Sequence, residues 1–175
     1  MPLYNFEGHE PKIGKDCFIA PNATLIGDIE IGDKCNILFG VVIRADVNKI
    51  IIGSGTNIQD NSVVHCNTTT QTIIGNDVTI GHGCLVHACT IQDRALVGNQ
   101  SVIHDNAFVG EEALISPGCV ITDRTEVKPR TLMVGIPGVY KRDLQEKDYE
   151  KMKGVNLRYK GLIRHYSTNF YEIKD

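Results

Sequence analysis

This 175-residue sequence is short of several things, and each shortage removes a class of function. Cations do not outnumber anions: 18 Lys and Arg face 21 Asp and Glu, a formal net charge of −3, with no basic stripe, so no nucleic-acid partner is expected. No apolar run approaches the roughly 20 residues of a membrane-spanning helix. Residues 1–10 lack the charged start and apolar core of a secretory signal. No membrane partner is expected, and the cytoplasm is the expected location. No Cys-x-x-Cys occurs among the six cysteines, which argues against a paired metal or redox motif.

What the chain has in abundance is a sixfold rhythm. From Ile13 to Val127 an aliphatic residue returns about every six positions, nineteen times, and none of these positions is polar. Small residues recur four places later, as at Ala23, Thr56, Ser62 and Ala113, and glycine often follows the aliphatic residue directly, as at Gly32, Gly53 and Gly98. A period of six fits neither a helix of about 3.6 nor a single strand of about 2. It fits short strands laid end to end around a triangular prism, the hexapeptide-repeat parallel β-helix, with three hexads to a coil and roughly six coils in all. Cys17, Cys35, Cys84 and Cys119 occupy the small position and read as reduced core fillers. Cys66 and Cys89, each close to a histidine, are candidate extra ligands.

The rhythm stops around Ile136-Pro137-Gly138, so residues 1–138 are expected to form the β-helix and residues 139–175 a C-terminal helical extension. There, apolar residues at Leu144, Met152, Val155, Tyr159, Leu162, Ile163, Tyr166 and Phe170 predict an amphipathic helix, with Gly154 the place for a break, packed along the prism or onto a neighbouring subunit.

Three departures from the count make the repeat a ruler. Ile43 to Ile52 gains three residues, Val64 to Ile74 gains four, and Val86 to Ile91 loses one. Labelling the faces in turn stacks Leu25, Ile43, Val64, Val86, Ile103 and Ile121. Because side chains alternate along a strand, the outward column beside them reads Ile26, Arg44, His65, His87, His104 and Thr122. His65 and His87 are therefore expected one above the other, about 4.8 Å apart, as two ligands of one metal. His82 belongs to the preceding face, with Asp60 one coil below and Gln59 beside it. A pair on one face and a third histidine at another edge close around one ion if a cyclic trimer sets the His82 edge of one prism against the His65/His87 column of the next. Three imidazoles leaving a fourth position open are a standard catalytic zinc set, and iron(II) or cobalt accepts the same ligands. Arg44 and Asp60 are expected to pair across that interface. His104 continues the column as a surface residue, a proton relay or a donor to the ligands. His9 and His165 lie outside the repeat.

At these residues the sequence is similar to a known family. Ile43-Arg44-Ala45-Asp46, Asn57-Ile58-Gln59-Asp60, His65 and Gly81-His82-Gly83-Cys84-Leu85-Val86-His87, together with Val134-Gly135-Ile136-Pro137-Gly138, resemble the γ-class carbonic anhydrases through nearly the whole chain. The resemblance implies a left-handed β-helix, a homotrimer, and metal sites shared between subunits, with zinc or iron(II) or cobalt held by His65, His82 and His87. It implies reversible hydration of carbon dioxide, with Gln59 at the nucleophile, Asn57 and Tyr159 lining the substrate pocket, and Arg44, Asp46 and Asp60 supporting the interface. Fully active relatives carry glutamates in an acidic loop for proton export. The corresponding stretches here, Asp46 to Lys49 and His65 to Gln71, contain none, which leaves His104, Tyr159 or buffer to carry the proton. Two other readings share the prism: a metal-binding trimer with a structural role, and a hexapeptide acyltransferase using one histidine as general base.

Overall fold

A computed structural model describes residues 3–173. The nineteen hexads lie on seventeen strands that form three parallel faces, and Leu3–Tyr4 and Thr131–Val134 each add a further rung, so every face is seven parallel strands deep. Two strands, Thr24–Ile31 and Val42–Ile52, run around a corner and contribute to two faces each. The aliphatic residues point inward in one stack: Leu25, Ile43, Val64, Val86, Ile103 and Ile121 are all completely buried.

The small position has a hydrogen-bonding reason as well as a steric one. Where it is Ser, Thr or Cys, the side chain four places after the aliphatic residue often meets a backbone carbonyl of the next coil. Thr56 Oγ1 donates to Gly75 O at 2.8 Å, Ser62 Oγ to Gly81 O at 2.8 Å, and the Cys84 thiol to Gly98 O at 3.1 Å. Ser, Thr and Cys fit because they are compact and carry one donor. Glycine after the aliphatic residue is explained by crowding: a Cβ on Gly53 would lie 2.5 Å from the carbonyl carbon of Gly75.

The corners carry the same ruler as the strands. One corner is turned by left-handed residues at Asp16, Lys34, Gly55, Asp77, Arg94, Glu112 and Arg130. Successive separations in that series are 18, 21, 22, 17, 18 and 18, which reproduces the insertions of three and four and the deletion of one. The irregular coils are therefore whole, correctly closed coils with longer or shorter excursions.

All six cysteines are free. Cys66 and Cys89, weighed above as ligands, are buried, and Cys66 donates to Asn48 O at 3.2 Å. Alternation explains this: Val64 and Cys66 point inward on either side of outward His65. Burial pushes the Cys84 thiol up to about 11 and the Cys89 thiol up to about 12, so both stay protonated.

The C-terminal segment differs from expectation in two respects. Val139–Asp143 is a strand, antiparallel to Thr131–Val134, rather than the start of the helix. The helix itself runs unbroken over Glu146–Asn169, through Gly154. A Cβ on Gly154 would touch nothing, and the helix is held from its other side. Its first turn is fixed by Asp148, which accepts Arg142 Nη1 at 2.6 Å, Arg142 Nη2 at 3.1 Å and Gln145 N at 2.7 Å. Further along, buried Asn156 donates to Gly55 O at 3.1 Å and Asp77 O at 3.0 Å, and Asn36 Nδ2 donates to Tyr159 O at 2.8 Å. At the far end Tyr166 stacks on Phe18 with centroids 4.7 Å apart, and Phe39 and Phe170 complete an aromatic cluster. Among the described residues, no helix is long and apolar enough to cross a membrane.

Candidate metal centre

The strand register sets the outward column rung by rung: Arg44 pairs with His65, and His65 with His87. Ile103 pairs with Val86, which makes His104 the next rung; it is exposed and carries no side-chain hydrogen bond among the described residues. His65 Nδ1 and His87 Nε2 face each other at 3.0 Å.

The outer nitrogens of the two rings are both committed. His65 Nε2 lies 3.0 Å from Asp46 Oδ1, and His87 Nδ1 lies 2.5 Å from Asp105 Oδ1. Burial works to raise the Asp46 carboxyl, but hydrogen bonds from His65 and Arg44 outweigh it and hold the group below its ordinary value. At Asp105, burial is likewise outweighed by hydrogen bonds from His87 and Asn67. Both carboxylates are therefore ionised acceptors at neutral pH, so the ring protons lie on their side. The two remaining nitrogens face each other, turned away from the carboxylates. Two ligand nitrogens about 2.05 Å from a tetrahedral zinc stand roughly 3.3 Å apart, close to the separation here. The donor set fits a divalent ion of this kind.

His82 sits at the corner following Thr79–Ile80. Its Nδ1 is 2.8 Å from Asp60 Oδ2, and its Nε2 is 3.3 Å from the Tyr159 hydroxyl. Here too a carboxylate holds one ring nitrogen and leaves the other as an acceptor. His82 lines a cleft between the prism and the helix together with Gln59, Thr79, Arg158 and Tyr159. Gln59 and Asn57 are buried in its wall: Gln59 Nε2 donates to Asn57 Oδ1 at 3.1 Å, and Asn57 Nδ2 donates to Thr79 Oγ1 at 2.8 Å. This ordered chain fixes the Gln59 amide so that its oxygen remains available as an acceptor.

The chain thus brings the expected residues into two groups: Arg44, Asp46, His65 and His87 on one face, and Asn57, Gln59, Asp60, His82 and Tyr159 at a corner and cleft. Among the described residues, no three His, Cys, Asp or Glu side chains converge on one point within the chain. Arg44 pairs with Asp46, and Asp60 with His82. Asp105 and Asn67 escaped sequence reasoning. The ruler came within one residue of Asp105, which follows His104, the rung above His87.

Comparison with known proteins gives three kinds of match. A family model described as bacterial transferase hexapeptide (six repeats) matches residues 10–45. The chain is 48% identical over 147 residues to a Methanocaldococcus jannaschii protein named "Probable carbonic anhydrase", covering 84% of this chain and 92% of that one. It is 38% identical over 152 residues to the mitochondrial gamma carbonic anhydrase 2 of Arabidopsis thaliana, covering 83% of this chain but 55% of that longer protein. Among solved structures, a hexapeptide transferase family protein from Anaplasma phagocytophilum superposes with a TM-score of 0.91 at 39% identity, covering 94% of this chain and 98% of that one.

Proposed function

This chain belongs to the γ-class carbonic anhydrase family, and from that premise we propose that it hydrates carbon dioxide reversibly to bicarbonate at metal sites shared between the subunits of a homotrimer. The observation that carries the reading is that His65, His82 and His87 each have one ring nitrogen on a carboxylate, Asp46, Asp60 and Asp105 respectively, and the other turned away from it. Carboxylate partners of this kind orient metal-bound imidazoles and raise their basicity. Zinc is the proposed ion, with iron(II) and cobalt suited to the same nitrogens.

Sharing between subunits follows from the two half-sites. The His65/His87 pair needs a third ligand, and the corner that carries His82 presents one to a neighbouring prism. The Arg44 guanidinium has five donors, so it can keep Asp46 and also take Asp60 of an adjacent subunit.

When bound, such an ion supplies Lewis acidity and makes hydroxide available near neutral pH, as in other zinc carbonic anhydrases. The residues of the chain do the rest. Asn57 holds the Gln59 amide, and the Gln59 oxygen accepts a hydrogen bond from the nucleophile and so turns its lone pair toward carbon dioxide. Tyr159 donates to His82 Nε2 while that nitrogen is bare. With His82 Nε2 serving as a metal ligand, the Tyr159 hydroxyl would be free to face the cleft. The proton leaves through Tyr159, through exposed His104 or directly to buffer.

One sample tests this: protein purified anaerobically, its metal quantified, and hydration followed by stopped flow. About one ion per subunit with measurable turnover supports the reading, and metal-replete protein without turnover sinks it in favour of a structural metal-binding trimer. The transferase name of the Anaplasma relative supports a second reading, acyl transfer with a histidine base. A rise in thermal midpoint with acetyl-coenzyme A and none with zinc would favour it.

A further inference from the structure

The insertion of four residues between Val64 and Ile74 packs back onto the prism beside His87, and its hydrogen bonds are directed. Asn67 Oδ1 accepts from Thr69 N at 3.0 Å, Thr69 Oγ1 at 3.0 Å and Thr70 N at 2.7 Å, which folds the excursion around this one side chain. Asn48 Nδ2 donates to Asn67 O at 3.1 Å, and Thr70 Oγ1 donates to Asn106 Oδ1 at 2.8 Å. With its oxygen fully used inward, Asn67 has only its amide nitrogen left, and this donates to Asp105 Oδ2 at 2.7 Å. The other oxygen of Asp105 accepts from His87 Nδ1.

We propose that Asp105 and Asn67 are positioning residues for the metal: the inserted loop holds Asn67, Asn67 orients the Asp105 carboxylate, and Asp105 fixes the His87 tautomer that leaves Nε2 bare toward His65. The proposal rests on the metal-centre reading above. It gives the insertion a role other than proton export, for which it lacks glutamate. The polarity of the relay is dictated at each step: a folded loop leaves an N–H, an N–H selects a carboxylate, and an ionised carboxylate selects the protonated face of an imidazole.

The direct test reads the tautomer and not the turnover. In metal-free protein with ¹⁵N-labelled histidine, wild-type His87 is expected to carry its proton on Nδ1, and Asp105→Ala to shift it toward Nε2. Zinc affinity, measured by competition with a chromophoric chelator, should fall about 10–100-fold in Asp105→Ala. Asp105→Asn should lose a similar amount, because its amide would then face the Asn67 amide donor to donor. The double variant Asp105→Asn with Asn67→Asp restores a matched pair and should recover at least about tenfold of that loss. An unchanged His87 tautomer in Asp105→Ala, or zinc affinity within about twofold of wild type, would overturn the proposal. A double variant no tighter than Asp105→Asn would overturn the part given to Asn67. Zinc binding by wild type without hydration removes the carbonic anhydrase reading and leaves this inference standing; normal hydration with an unaltered His87 in Asp105→Ala does the reverse.

Discussion

His65 Nδ1 and His87 Nε2 stand 3.0 Å apart, and each ring turns its other nitrogen to a carboxylate, Asp46 or Asp105. Two imidazoles oriented in this way offer a divalent cation two nitrogen ligands at once. Zinc should therefore stabilise the folded protein: at about 100 times its dissociation constant the expected gain is about 2.7 kcal/mol. Thermal unfolding with zinc and with a chelator checks this, and identical midpoints would count against a metal at these histidines.

Substitution of His82 separates a shared site from a local one. His82→Ala leaves the His65/His87 face untouched, yet should weaken zinc binding by more than about 100-fold, a larger loss than removal of an outer partner causes. Equilibrium dialysis on a variant with wild-type circular dichroism measures it. Full retention of zinc would mean that the pair binds without the corner.

Gln59→Ala should behave differently. The Gln59 amide is held by Asn57 and is not a ligand, so metal content should stay near wild type. Turnover should fall by about 100-fold, the scale seen when one preorganised hydrogen-bonding group is removed from a reaction centre. Loss of metal in this variant would instead make Gln59 structural.

The pH dependence of stability has an identifiable contributor at the helix start. Hydrogen bonds from Arg142, followed by the backbone of Gln145, lower the Asp148 carboxyl to about 2 from an ordinary 3.8. A carboxyl depressed in the folded state contributes stability that is fully present above its unfolded value. That contribution, about 2 kcal/mol, is lost as pH falls from roughly 4 through roughly 2. Urea titrations at pH 6 and pH 2.5 should show a smaller acid-induced loss in Arg142→Ala than in wild type, because the variant has already forfeited the pair.

Docking of the helix can be probed at one side chain. Asn156 is buried and serves the carbonyls of Gly55 and Asp77. Asn156→Leu leaves both acceptors unpaired and should cost about 2–4 kcal/mol, at 1–3 for each bond discounted for partial rehydration. A midpoint within a degree of wild type would show that the helix is held elsewhere.

Much of this architecture could be read from residues alone because one hexad position is monotonous. From Ile13 to Val127 every such residue is aliphatic, and each interruption in the count reappears as a longer or shorter excursion at the left-handed corners. The pairing of His65 with His87 followed from that count. The strand Val139–Asp143 did not, because its residues are largely exposed and held by backbone hydrogen bonds and the Arg142–Asp148 ion pair, leaving no apolar alternation to detect. Gly154 suggested a break because glycine weakens an isolated helix. Asn156 and Tyr166, anchored on the prism, override that local preference. Asp105 went unnoticed because attention to the outward column stopped at His104, one residue short.

The C-terminal helix has a further consequence for how the molecule comes apart. At about 1.5 Å per residue its 24 residues extend about 36 Å. It touches Phe18 on the first rung of its face at one end, and at the other its first turn is tied to Arg142, whose strand closes the last rung. A stack of coils that contact only their neighbours would fray one coil at a time from either end. With the helix strapped along that face, an end coil cannot leave without detaching part of the strap, so unfolding is expected to be more cooperative than fraying coil by coil.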